Sequence, residues 1–202
     1  MTRAKSTETT LEFREKLRRE MLARRAAIDA PTRALQHSGL GANLSRLIDQ
    51  LAPRTIGFCW PWQGEFDARD IIAQWLAQDR SRTAALPVIE ALAAPMKFFS
   101  WTPQSPMRDG RFGIPVPEAG QAVIPDLFIL PVVAADQAGF RLGYGGGYFD
   151  RTLAALVPRP TAVGVGFDFQ VVDTIFPQPW DEPLDWLVTE SASLPLRRNP
   201  LS

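Results

Sequence analysis

The chain has 202 residues, enough for one compact domain with a substantial core and short for two. Its 22 Lys+Arg balance 22 Asp+Glu, and zero net charge argues against a general binder of nucleic acids or membrane surfaces. The single cysteine, Cys59, excludes an internal disulfide and fits a reducing compartment, and no stretch approaches the ~18 apolar residues of a membrane span.

Met1–Thr10 is polar and carries no apolar run, so no signal peptide is expected and the expected address is the cytoplasm. Residues 1–8 and 191–202 are polar or proline-rich and are expected to be poorly ordered tails around a single domain over 9–190. Within that span the prolines are scattered as punctuation, with no linker and no repeat.

Thr9 and Glu12 have capping-box spacing, which predicts a first helix from Thr10 to Ile28. Phe13, Leu17, Met21 and Ile28 fall on its apolar face. Asp29 and Pro31 read as a stop and a restart, and a second helix through Leu51 carries Leu40, Leu44, Leu47 and Ile48 on one stripe. His37, the sole histidine, falls on that stripe and is expected to be a satisfied, partly buried side chain. Thr55–Trp60 reads as a strand closed by Pro61 and Gly64, and Asp67–Gln78 as a helix burying Ile71, Ile72, Trp75 and Leu76. Strands are predicted over Thr83–Ile89 and Met96–Trp101, then a turn-rich loop over Gly110–Gly120. Asp126–Val133 is the most apolar run and should be a central strand buried on both faces. A glycine-rich loop leads to a helix at Gly147–Leu156, and Thr161–Phe167 and Trp186–Thr189 supply further strands. Strands alternating with helices predict an α/β fold: a single three-layer domain with a largely parallel sheet flanked by helices.

The chemical signal is concentrated between Arg141 and Arg151. Gly143, Gly145, Gly146 and Gly147 stand between a buried strand and a helix, where glycine lets backbone approach a ligand closely. Their amides, with the helix N-terminus behind them, would make an anion site, and the two flanking arginines suit phosphate oxygens. No Walker lysine follows, and Tyr148 stands where a dinucleotide fingerprint needs glycine. A tight-packing turn is the alternative. Asp150 falls in the first turn of the next helix, either as a Mg²⁺ ligand or as a cap. On the first helix Arg14, Arg18 and Arg25 share a narrow arc, as a solvated face or as the edge of a cleft. No His/Cys cluster suits zinc, no serine–histidine–aspartate set stands out, and the aromatics are not interleaved with a basic stripe.

The run Arg-Leu-Gly-Tyr-Gly-Gly-Gly-Tyr-Phe-Asp-Arg over 141–151 resembles the signature of the 5-formyltetrahydrofolate cyclo-ligase family. Weaker matches stand in the same order: Leu17-Arg18, Gln63-Gly64-Glu65, Pro125-Asp126-Leu127 with Pro131, Asp168–Gln170, Trp180-Asp181 through Asp185, and Val188-Thr189-Glu190. The resemblance covers most of 14–190. It implies an ATP- and Mg²⁺-dependent ligase of one-carbon folate metabolism that converts 5-formyltetrahydrofolate to 5,10-methenyltetrahydrofolate with release of ADP and phosphate. It places ATP on Arg14, Arg18, Arg141, Leu142, Gly143, Tyr144, Gly145, Gly146, Gly147, Tyr148 and Phe149. The folate falls to Trp60 and Glu65, whose carboxylate can accept two parallel hydrogen bonds from a pterin edge. Mg²⁺ falls to Asp150 and Asp181, and no residue is assigned as a nucleophile. Arg14 replaces the family's lysine, Trp180 a histidine of some relatives, Ala135 a frequent phenylalanine and Phe149 a frequent tyrosine. The alternatives are a paralogue using ATP on another substrate and a non-catalytic folate- or nucleotide-binding protein. The expected partners are the reduced folate and ATP, without nucleic acid or membrane, for a monomer or weak homodimer.

Overall fold

A strand that is apolar on both faces has to be covered on both, and Leu127–Pro131 lies inside an eight-stranded sheet. The computed structural model describes residues 2–196, with side chains from Thr10 onward. The chain opens with α1 (Thr2–Ala26), α2 (Ala30–Leu51), β1 (Thr55–Gly57), α3 (Arg69–Gln78), β2 (Thr83–Val88) and β3 (Lys97–Trp101). There follow β4 (Met107–Asp109), β5 (Pro115–Pro117), β6 (Ala122–Val123), β7 (Leu127–Pro131), β8 (Ala134–Asp136) and β9 (Arg141–Leu142). The rest comprises α4 (Tyr148–Ala155), β10 (Thr161–Val165), β11 (Val171–Val172), β12 (Trp186–Val188) and β13 (Ser193–Pro195).

The sheet runs β13-β12-β10-β7-β1-β2-β3-β6. Its middle five strands, from β12 to β2, are parallel, and β13, β3 and β6 extend it antiparallel. Alternate residues of β7 divide between two cores, as a period of two requires. Leu127 and Ile129 pack with Leu44, Ile48, Ile72 and Trp75 of α2 and α3 on one face. Phe128 and Leu130 pack with Leu153 of α4 on the other. The fold is the three-layer α/β domain expected from the alternation of elements.

A third cluster fixes α1. Leu17 and Met21 pack against Val133, Ala134, Leu142 and Ile175, where β8 and β9 leave the main sheet to form a three-stranded sheet with β11. This seats α1 beside the glycine-rich loop. The apolar face is narrower than predicted, because Phe13 remains 39 % exposed and packs edge-on against Phe176 at 4.9 Å.

Several boundaries differ from expectation. Helix α1 begins at Thr2, ahead of the capping-box spacing, because no glycine or proline interrupts residues 2–26. Asp29 does cap α2, accepting from the Thr32 amide at 2.8 Å. The segment 110–120 contains β5 and, with β4, forms a hairpin leaning on β2 and β3, where a loop was predicted. Strand β13 pairs with β12 inside the expected C-terminal tail. The remainder of that tail, 197–202, lies outside the described residues, as does Met1.

Candidate active site

In a parallel sheet the strand ends all open at one edge, and the chain must turn there into loops. Past β1 come Cys59, Trp60, Trp62 and Glu65; β7 ends on Pro131. Together with the glycine loop, α1 and the β4–β5 hairpin they enclose a cleft of about 530 Å³, within the usual range for small-molecule sites.

The glycine loop forms one wall. Gly145 has φ 95° and Gly147 φ 62°, both in the left-handed region where a side chain is strained. A Cβ on Gly143 would meet nothing within 4 Å, so that backbone faces open space. Two guanidinium groups hold the loop by its carbonyls: Arg18 Nε donates to Gly143 at 2.8 Å, and Arg151 donates to Gly146. The amides of Gly145, Gly146 and Gly147 donate to no described residue. Gly147 is the N-cap of α4, and free amides beside a helix N-terminus are groups that can bind an anion.

Behind the loop the charges are paired. Arg141 is 3 % exposed; it donates to Asp150 Oδ1 at 2.8 Å and to the Glu182 carbonyl at 2.8 Å. Burial lowers its pKa, opposed mainly by Asp150 and Asp181. Arg14 grips Asp181 with both ends, at 2.6 and 3.2 Å. The two carboxylates expected to hold a divalent cation therefore differ. Both oxygens of Asp181 are engaged by Arg14, whereas Asp150 Oδ2 accepts no hydrogen bond from a described residue. Asp150 alone offers a ready position, and one carboxylate with phosphate oxygens is a common way of holding Mg²⁺.

The opposite wall carries Glu65, only 6 % exposed. Its Oε2 accepts from the Trp62 amide and its Oε1 from the Tyr144 hydroxyl, each at 2.9 Å. Burial pushes its pKa up, with the Arg25 charge and these hydrogen bonds acting the other way. Trp60 lies beside it with the Arg69 guanidinium 4.3 Å from its ring centroid. Phe149 sits edge-on to Phe128, at a centroid distance of 5.7 Å, and Tyr148 lies under Arg151. Burial pushes the pKa of the Cys59 thiol well up, as expected of an inert side chain.

Fourteen of the fifteen residues that the resemblance assigns to ATP, folate or Mg²⁺ line this one cleft, while the flanking Arg151 does not. The exception among the fifteen is Leu142, whose side chain is fully buried against Leu17 and Met21, so that only its backbone can serve the site. Sequence reasoning missed Trp62 and the hairpin tip, where Arg111 and Phe112 line the cleft and Phe112 takes φ 64°. Phe112 between two glycines was the available signal. For Arg25 sequence reasoning left a solvated face and a cleft edge both open; the side chain is 1 % exposed and bonded to Gln63 and Tyr144, which rules out the solvated face.

A family model described as the 5-formyltetrahydrofolate cyclo-ligase family matches residues 11–190. The chain belongs to this family. It is 29% identical to the 5-formyltetrahydrofolate cyclo-ligase of Haemophilus influenzae, over 85% of this chain and 94% of that one. It is 36% identical to that of Escherichia coli, over 68% and 78% of the two chains. A solved 5,10-methenyltetrahydrofolate synthetase from Aquifex aeolicus superposes with a TM-score of 0.79 at 28% identity, covering 94% of this chain and 95% of that chain. As a cyclo-ligase family member the chain is an enzyme of folate metabolism. Of its departures from the family pattern, Ala135 is fully buried in the core and does not line the cleft, whereas Trp180 lines it and is 64 % exposed.

Proposed function

We propose that the chain uses ATP to close 5-formyltetrahydrofolate into 5,10-methenyltetrahydrofolate within this cleft. The observation that carries the residue-level reading is that one cleft is lined both by glycine amides that donate to no described residue, beside Arg18 and Arg141, and by the buried carboxylate of Glu65.

The formyl oxygen is part of an amide and cannot leave unaided. It attacks the γ-phosphorus of ATP, the bond to the β-phosphate oxygen breaks, and ADP departs. The N10 amine of the same folate then attacks the activated carbon and loses its proton, and the carbon–oxygen bond breaks to release phosphate. The chain's share is positioning and charge neutralisation. In this reading the amides of Gly145–Gly147 take triphosphate oxygens, with Arg18 holding the loop backbone and Arg141 supplying buried positive charge. Arg14 lies at the end of the same wall, bound to Asp181. Glu65 accepts the pterin's N–H edge through lone pairs left by Trp62 and Tyr144, and Trp60 flanks that ring. Mg²⁺, held by Asp150, would neutralise charge on the phosphates; Asp181 could join it only by giving up Arg14.

The single cysteine, which admits no internal disulfide, supports a cytoplasmic address. A monomer or weak homodimer belongs to the same proposal, and sedimentation checks it. Incubation of the purified protein with 5-formyltetrahydrofolate, ATP and MgCl₂ tests the function. Methenyl product, ADP and phosphate should appear in equal amounts, and none without ATP. ATP turnover with a different metabolite, or binding of both ligands without turnover, would remove the assignment.

A further inference from the structure

Two buried opposite charges with no ion pair between them need another way to compensate each other. Arg25 of α1 and Glu65 are such a pair, 1 % and 6 % exposed. The hydroxyl of Tyr144 stands between them. It accepts from Arg25 Nη2 at 2.5 Å and donates to Glu65 Oε1 at 2.9 Å. Arg25 Nε is itself fixed on the Gln63 carbonyl at 3.1 Å, two residues before Glu65. Three separate pieces of chain therefore meet at one oxygen: α1, the loop after β1, and the glycine loop.

Tyr144 belongs by its backbone to the wall assigned to ATP and by its hydroxyl to the wall assigned to the folate. Its neighbours Gly143 and Gly145 give that backbone freedom, and Gly145 already uses it at φ 95°. A ligand that fixes the loop's amides fixes the direction of the Tyr144 ring. The hydroxyl in turn sets which lone pairs of Glu65 remain for a substrate. Burial and the Glu65 charge raise the phenol's pKa, so it stays a donor under working conditions. A ring needed only for packing would not require a hydroxyl placed between a guanidinium and a carboxylate.

We propose that Tyr144, anchored by Arg25, is a positioning residue that couples the glycine loop to Glu65, so that nucleotide in the loop tightens folate binding and folate tightens nucleotide binding. The inference rests on the functional reading above. Its reciprocity is a thermodynamic requirement of coupled sites.

Calorimetry or fluorescence titration of 5-formyltetrahydrofolate, with and without a non-hydrolysable ATP analogue and Mg²⁺, tests it. The wild-type protein should bind the folate about tenfold tighter with the analogue present, a usual size for coupled sites. Tyr144→Phe keeps the ring and removes the hydroxyl, and its ratio should fall close to one. Arg25→Lys keeps the charge but cannot span Gln63 and Tyr144 as the planar fork does. It should also lower the ratio, which keeps the test open should Tyr144→Phe fold poorly. In a Glu65→Gln background the Tyr144→Phe change should alter the ratio no further. An undiminished ratio in folded Tyr144→Phe, or no coupling in the wild type, would overturn the inference while leaving the functional reading intact. No folate binding at all would overturn both.

Discussion

Glu65 illustrates how burial gives a single side chain its chemistry. Desolvation favours its neutral form, while Arg25, the Trp62 amide and the Tyr144 hydroxyl favour the carboxylate. Its pKa is raised on balance, so ionisation costs stability as pH rises through the window between the unfolded and folded values. Binding an N–H edge needs the ionised form. Affinity for the folate should therefore fall on acidification, starting above the ordinary carboxylate range of about 4.3. The pH profile of KM for 5-formyltetrahydrofolate measures this, with Arg25, Tyr144 and Cys59 as the groups facing the carboxyl. Glu65→Gln should abolish that limb and raise the folate KM about tenfold or more, the cost of a charged hydrogen bond, while changing the ATP KM less. Equal effects on both substrates would count against a pterin contact. Asp150→Ala should leave the fold intact and lower kcat by roughly 10²–10³, the scale for losing a group that stabilises transition-state charge. Because Asp150 also pairs with buried Arg141, a melting curve must accompany that measurement. Undiminished kcat would remove Asp150 from the metal site.

At the scale of elements, the glycine-rich segment was legible as a loop between a strand and a helix, while its composition alone left an anion site and a tight turn both open. Gly145→Val places a β-branched residue at φ 95° beside Arg18, whose guanidinium carbon lies 3.6 Å from the added Cβ. It should cost about 1–3 kcal/mol of stability and weaken ATP binding, read by titration with the nucleotide analogue. Unchanged affinity would make the loop only a turn. Helix α2 was equally legible, since Asp29, Pro31 and a continuous leucine stripe all point the same way. The start of α1 was not, because Thr9 and Glu12 show capping spacing that the helix does not use. The β4–β5 hairpin was missed for a different reason. Its strands are three residues each, and Gly110, Gly113, Pro115 and Pro117 are the residues that ordinarily mark loops. Contacts such as Arg25 to Tyr144, 119 positions apart, follow from how α1 lies across β8 and the glycine loop. Periodicity along one helix carries no such information.

For the whole molecule, alternation along the chain sufficed to read the architecture. Leu127–Pro131 is buried on both faces because α2 and α3 cover one side and α4 the other, and only an all-apolar strand tolerates that position. The parallel order β12-β10-β7-β1-β2 then brings the ends of strands distant in sequence to one edge. Trp60, Glu65, Pro131 and the loop at 143–147 meet there although up to 87 positions separate them (147 − 60). In the proposed reading the fold supplies amides, fixed charges and enclosure at that edge, and the substrates supply the chemistry. A crystal structure of the protein with 5-formyltetrahydrofolate, Mg²⁺ and a non-hydrolysable ATP analogue tests that most directly. The triphosphate should lie against the amides of Gly145–Gly147, the cation against Asp150, and the pterin edge against Glu65. A triphosphate bound away from this loop, with the folate nonetheless on Glu65, would contradict it.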